Sequence, residues 1–97
     1  MTIQYHPALQ QELEEIKEFY EARADGLGSS FLDEFERLVF RIAASPDRWM
    51  VVSGDLRRAM LRRFPYVIYF RRVDDETVRI TVVKHQRRHP DFGKDRR

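Results

Sequence analysis

Apolar residues in the first half of the chain recur every three or four positions, the spacing that places them on one face of a helix. One such stripe covers residues 9–24 and follows Pro7, a residue that suits the first turn of a helix. A second stripe covers residues 31–42 and ends before Pro46, which a helix cannot continue through. Together the stripes predict a helical hairpin over about residues 7–45.

The junction between the two predicted helices is short and contains two glycines. Residues 25–28 read Asp-Gly-Leu-Gly and interrupt the first stripe. Ser30 and Asp33 have the spacing of a capping box, so we predict that the second helix begins at Ser29 or Ser30.

After Trp49 the apolar period changes from 3.6 to 2, the period of a β-strand. Strands are predicted at residues 2–6, 56–64, 66–73 and 77–84. Simple alternation places three apolar residues of the last strand on a single face: Val78, Ile80 and Val82. The predicted strand meander therefore spans about residues 56–84.

The element order β-α-α-β-β-β predicts an α+β fold, with a helical hairpin packed on one face of an antiparallel sheet. We expect residues 1–97 to form one domain, given the chain length. The other sheet face lacks a helix and is predicted to be open to a partner. The basic tail, residues 85–97, contains Pro90 and Gly93 and is predicted to be loop.

Charge is unevenly divided between the two halves of the chain. Residues 1–50 carry five basic and ten acidic side chains, a formal charge of −5, and residues 51–97 carry thirteen and six, a formal charge of +7. This asymmetry indicates an acidic or polyanionic partner for the second half. The chain has no cysteine, which excludes thiolate chemistry and disulfides. It shows neither a signal-peptide pattern nor a membrane-length apolar run, so a cytoplasmic location and no membrane partner are expected.

Two motifs in the second half resemble ParE-type toxins of the ParE/RelE superfamily. Residues 57–70, RRAMLRRFPYVIYF, are similar to that family's arginine-bearing strand, Phe-Pro-Tyr and apolar strand with tyrosine. Residues 82–90, VVKHQRRHP, are similar to its closing motif. Gly28 with Phe31, and Pro46 after the second helix, also fit, so the resemblance covers nearly the whole chain.

The resemblance implies a toxin of a bacterial type II toxin–antitoxin system, of the kind linked to plasmid stabilization and growth arrest. Such toxins are neutralised by an antitoxin whose C-terminal segment wraps them. ParE proper inhibits DNA gyrase without being a catalyst, whereas the RelE branch cuts messenger RNA on the ribosome. One fold thus serves two targets, and no cofactor is implied. A non-catalytic nucleic-acid-binding module is a further alternative, although neither predicted helix is basic.

Ribonuclease chemistry requires a general base, a general acid and positive charge for the developing phosphate oxyanion. The candidates for such a site are His85, Arg58, Arg62 and Arg87. The resemblance implies that RelE-like ribonucleases build such a site from lysine, arginine and tyrosine, or from glutamate, arginine and histidine with a C-terminal aromatic residue. In this chain the tail lacks tyrosine, and every basic residue of the first meander strand is arginine, which is a poor proton donor. The set is incomplete, so we expect gyrase inhibition rather than catalysis.

Paired arginines in and beside the strands supply the candidate partner surfaces. We expect the acidic groups of the antitoxin to meet four of them: Arg57, Arg58, Arg62 and Arg63. We expect the target to contact the start of the tail at His85, Arg87 and Arg88. His85 has a purely structural alternative, a hydrogen bond to the turn before the tail. No metal site is expected, because His6, His85 and His89 lack a ligand spacing.

Overall fold

In the computed structural model, which describes residues 1–97, two helices pack on one face of a five-stranded sheet. Helices α1 and α2 span Leu9–Glu21 and Leu27–Ala44, and strands β1 to β5 span Thr2–Tyr5, Met50–Ser53, Leu56–Met60, Tyr66–Asp74 and Thr77–His85. The strands lie in the order β1-β5-β4-β3-β2. The predicted α+β class is therefore confirmed. Neither helix is long and apolar enough to span a lipid bilayer.

Two details of the sheet differ from the prediction. The short strand β2 lies before the predicted meander and forms an edge beside β3. β1 pairs with β5 in parallel, so the sheet is mixed, while the other neighbouring pairs are antiparallel. Both edge strands have only four residues, a length at which periodicity carries little signal.

The junction between the helices is capped differently from the prediction. α2 begins at Leu27, and its N-cap is Gly26, whose φ of 82° lies in the left-handed region that glycine tolerates. The Glu21 carboxylate accepts hydrogen bonds from the N–H groups of Gly26 at 2.8 Å and Gly28 at 2.9 Å. The predicted capping box is wrong, because the end of α1 already supplies acceptors for these free N–H groups. The Ser30 hydroxyl instead donates to the Gly26 carbonyl.

The main core lies between the helices and the sheet face that they cover, which we call the helix face. Thirteen buried residues form it, with Phe31 and Phe35 from α2 and Ile68, Phe70, Ile80 and Val83 from the central strands. Tyr20 and Tyr66 pack against this cluster at its rim. Burial of these apolar surfaces supplies the main free energy that holds α2 on β4 and β5.

A β-bulge in β5 changes the alternation that the sequence predicts. Tyr69 pairs with Val82 but Phe70 pairs with Ile80, so Thr81 is an extra residue on β5. The predicted single face for Val78, Ile80 and Val82 is therefore wrong. Ile80 belongs to the main core, whereas Val82 points to the opposite face of the sheet.

The face opposite the helices, here called the outer face, carries a second apolar cluster. Leu56, Val67, Tyr69 and Val82 are buried there. The C-terminal segment, residues 86–97 and here called the strap, folds through successive turns across this face, and Phe92 packs against the cluster. The prediction of an open second face is therefore wrong at these residues, because the chain covers them with its own tail.

The close crossing of the helices predicts a cost for any side chain at position 28. A Cβ atom on Gly28 would lie 2.5 Å from the Lys17 carbonyl oxygen, a main-chain atom that cannot rotate away. Alanine is normally preferred over glycine in a helix by about 1 kcal/mol. We expect Gly28→Ala to lower the free energy of unfolding by about 1–3 kcal/mol, the usual cost of overpacking.

Urea denaturation measures this change, and Ser29→Ala, an exposed position in the same turn, is the matched control. A Gly28→Ala protein as stable as the Ser29→Ala protein would contradict the tight crossing.

The Glu21 cap predicts a pH-dependent stability. Hydrogen bonds from Gly26 and Gly28 lower the pKa of Glu21. A carboxyl whose pKa is depressed on folding stabilises the fold above its unfolded pKa, about 4.3, and loses that effect as the pH falls through the folded value. We expect Glu21→Gln to lower the Tm at pH 7, with the difference from wild type shrinking below about pH 4.3. Calorimetry across pH checks this, and a Tm difference constant with pH would count against the cap.

Candidate partner and target surfaces

A basic groove lies between α2 and the connection from β3 to β4. Its volume is about 550 Å³, and seven residues line it: Glu34, Arg37, Leu38, Arg41, Met60, Arg62 and Arg63. Arg37 and Arg41 lie one turn apart on α2, so they project from the same side of the helix. Arg62 and Arg63 face them from the β3–β4 connection. Leu38 and Met60 contribute apolar surface to the lining.

The only acidic group of this groove is occupied by the main chain. The Glu34 carboxylate accepts hydrogen bonds from the N–H groups of Arg62 at 2.5 Å and Arg63 at 3.3 Å. These bonds attach the β3–β4 connection to α2. None of the salt bridges in the structure involves the four groove arginines. The groove is therefore a cluster of four guanidinium groups without carboxylate partners.

The four arginines predicted to meet the antitoxin do not form one surface. Arg62 and Arg63 lie in the basic groove. Arg57 donates hydrogen bonds to the carbonyl oxygens of Asp47 at 3.1 Å and Trp49 at 2.6 Å, so it joins β3 to the segment before β2. Arg58 pairs with Tyr69 and therefore lies on the outer face.

Sequence reasoning missed Arg37 and Arg41 because they belong to the acidic half of the chain. Their spacing of four residues on a predicted helix, on either side of the strongly exposed Phe40, was the available signal. Only the fold shows that they face Arg62 and Arg63 across a groove.

On the outer face, a buried lysine binds the strap. Lys84 is only 5% exposed, and its ammonium group donates hydrogen bonds to the carbonyl oxygens of His89 at 3.0 Å, Pro90 at 2.9 Å and Phe92 at 3.4 Å. Three donors thus meet three main-chain acceptors, which satisfies the buried charge. The Tyr69 hydroxyl donates a further bond of 2.9 Å to the Pro90 carbonyl.

Two arginines hold the end of the strap. Arg71 is nearly buried, forms an ion pair with Asp55, and donates to the carbonyl oxygens of Lys94 at 2.6 Å and Arg96 at 3.1 Å. Arg96 itself forms a two-pronged ion pair with Glu12 on α1, at 2.9 and 2.8 Å. The end of the strap is therefore connected to both the sheet and the helical hairpin.

The strap also approaches the sheet very closely at one glycine. Gly93 has a φ of 75°, and a Cβ atom there would lie 2.4 Å from a methyl group of Val82. Both the backbone conformation and the contact therefore require glycine at this position.

Arg87 and Arg88 remain exposed on the first part of the strap. The Arg88 guanidinium lies 3.9 Å from the centre of the Phe92 ring, a cation–π contact that supports its side chain over the strap. Neither arginine forms an ion pair. Both charges thus lie at the surface without a carboxylate partner.

His85 has a structural environment at the end of β5. Its Nδ1 atom accepts a hydrogen bond of 3.1 Å from the main-chain N–H of Arg87, which closes the turn into the strap. Its ring and the Tyr66 ring form an edge-to-face pair with centroids 5.4 Å apart. Burial raises the pKa of Tyr66 above its ordinary value.

The candidate ribonuclease residues are not brought together. His85 pairs with Tyr66 on the helix face, whereas Arg58 pairs with Tyr69 on the outer face. Arg62 lies in the basic groove, and Arg87 lies on the strap. No cluster of three or more His, Asp or Glu side chains is arranged to hold a metal ion.

Comparison with known proteins gives one family and one fold. Residues 3–90 match the family model described as ParE toxin of type II toxin-antitoxin system, parDE. A solved structure described as the chromosomal ParDE TA system from P. aeruginosa is similar, with a TM-score of 0.72 and 16% identity over 88% of this chain and 95% of that chain. At this identity the structural likeness concerns the fold. No curated protein matches the chain significantly.

Proposed function

Because the chain belongs to the ParE toxin family of type II toxin–antitoxin systems, we propose that it inhibits DNA gyrase and is held inactive by a cognate antitoxin. The family match over residues 3–90 is the observation that carries this proposal. In this proposal the protein acts by binding to gyrase, and it needs no cofactor. The separation of His85 from Arg58 supports a non-catalytic action, since ribonuclease chemistry needs its acid, base and cation around one phosphate.

The antitoxin docks in the basic groove. Four unpaired guanidinium groups surround apolar surface from Leu38 and Met60, which fits a segment with acidic side chains and a few apolar anchors. Arg62 and Arg63 are two of the arginines expected from sequence to meet the antitoxin. Arg37 and Arg41 take the places of Arg57, which is bound internally, and Arg58, which lies on the outer face.

Charge reversal in the groove is the direct test of this surface. We expect Arg62→Glu with Arg63→Glu to weaken antitoxin binding by about 100-fold, because like charges then face each other at the interface. Binding is measured by titrating the purified toxin with the antitoxin encoded beside it, and neutralisation by growth on co-expression.

Arg23→Glu with Arg97→Glu makes the same change in net charge at two exposed positions outside the groove, and it serves as the control. Equal affinities for the two double variants would place the antitoxin elsewhere.

The target surface is the exposed part of the strap around Arg87 and Arg88, beside His85. Both arginines are exposed and have no acidic partner, whereas Lys84 and Arg71 of the outer face bind the strap itself. Removing the tail after Lys84 is a poor test, because it would uncover Lys84 and the outer cluster. Point changes on the surface of the strap avoid this problem.

A supercoiling assay with purified gyrase tests the target. We expect the wild-type protein to inhibit supercoiling and to trap cleaved DNA, and the antitoxin to relieve both effects. Arg87→Glu with Arg88→Glu is expected to weaken inhibition by about 10-fold or more, with antitoxin affinity unchanged, since surface charges act mainly on their own interface. The comparison protein is Arg79→Glu, which changes a cation of β5 outside the strap.

Absence of inhibition at concentrations where expression stops growth would overturn the gyrase proposal. Cleavage of translated messenger RNA would then be measured directly, with His85→Ala as the first variant.

A further inference from the structure

Two cationic side chains and one tyrosine hydroxyl bind the strap through its main chain. Lys84, Arg71 and Tyr69 donate to carbonyl oxygens at five positions between His89 and Arg96. Such contacts leave the side chains of Arg87 and Arg88 at the surface, whereas the Arg96 side chain binds Glu12 and the Thr81 carbonyl. Within this arrangement, only Phe92 turns inward to the outer cluster, and only Gly93 has no room for a side chain.

We infer that Lys84, Arg71 and Gly93 are positioning residues that hold the strap in the one conformation able to present Arg87 and Arg88 to the target. This inference rests on the proposed target surface and adds the means by which that surface is built. A tail of twelve residues in solution would have to be ordered on binding, and that ordering would weaken the affinity. The strap is already ordered before it meets a partner.

The location of the positioning residues, here called the anchors, explains why replacing one of them weakens target binding but not antitoxin binding. Lys84 and Gly93 lie on the outer face, whereas the basic groove is formed by α2 and the β3–β4 connection. The main core lies between these two surfaces and contains neither anchor. Loosening the strap therefore leaves the groove intact.

Two variants disturb the strap by independent means. Lys84→Met keeps an unbranched side chain and removes the donors to His89, Pro90 and Phe92. Gly93→Ala changes no charge, but its methyl group collides with Val82. Lys94→Met is the control, because it removes a half-buried lysine of the strap whose ammonium group pairs only with the exposed carboxylate of Asp91, within the strap itself.

Three measurements are made on each full-length protein: amide hydrogen exchange of residues 86–97, antitoxin affinity, and the concentration that inhibits supercoiling by half. We expect Lys84→Met and Gly93→Ala to speed exchange in the strap and to weaken gyrase inhibition by about 10-fold or more, since each loses native contacts of the strap. Antitoxin affinity should stay within about 2-fold of the wild-type value, because the basic groove is distant from the substituted residue. A general loss of structure would weaken antitoxin binding as well as gyrase inhibition, and this distinguishes it from a local loosening of the strap.

Rapid exchange in the strap of either variant with undiminished inhibition would overturn the inference and leave the target surface standing. If Arg87→Glu with Arg88→Glu leaves inhibition unchanged, the target surface itself is wrong. If the wild-type protein does not inhibit gyrase, the proposed target fails, and growth arrest on expression replaces supercoiling as the readout for the two strap variants. Unimpaired arrest by both variants would then overturn the positioning role.

Discussion

A single extra residue in β5 determines which face of the sheet each later side chain of that strand reaches. Neighbouring residues of a strand point to opposite faces, so an insertion in one strand reverses the phase of everything that follows. The bulge at Thr81 places Val83 in the main core and turns Val82 and Lys84 to the outer face. Without it, Lys84 would point into the apolar layer beneath the helices, where no acceptor is available for its charge.

The buried lysine then requires the strap. An ammonium group out of contact with water is costly unless each of its donors has an acceptor. The main-chain carbonyls of His89, Pro90 and Phe92 provide them, and Arg71 is satisfied in the same way by the end of the strap. The strap in turn buries Val82 and Tyr69 beneath Phe92. Charge satisfaction and apolar burial thus depend on each other on this face.

The positive charge of the second half of the chain serves two different purposes. Four cations bind carbonyl or carboxylate oxygens of the same chain and so stabilise the fold: Lys84, Arg71, Arg57 and Arg96. Arg62, Arg63, Arg87 and Arg88 have no such partners. Net charge alone does not separate the two groups, which is why the +7 of residues 51–97 overstates the charge available to partners. The acidic half, conversely, contributes Arg37 and Arg41 to the groove.

The sequence by itself determined the class of the fold, the helical hairpin, the two long strands and the family. Each of these four features depends on local periodicity or on a contiguous motif. Both signals can be read without knowledge of distant contacts. The tertiary structure alone decided the phase of β5 after Thr81, the parallel pairing of β1, the cap from Glu21, and the grouping of α2 arginines with Arg62 and Arg63. These features arise where residues far apart in sequence meet. A tail that reads as polar loop is held on the sheet because buried Lys84, placed by the bulge, and buried Arg71 on β4 need its carbonyl groups.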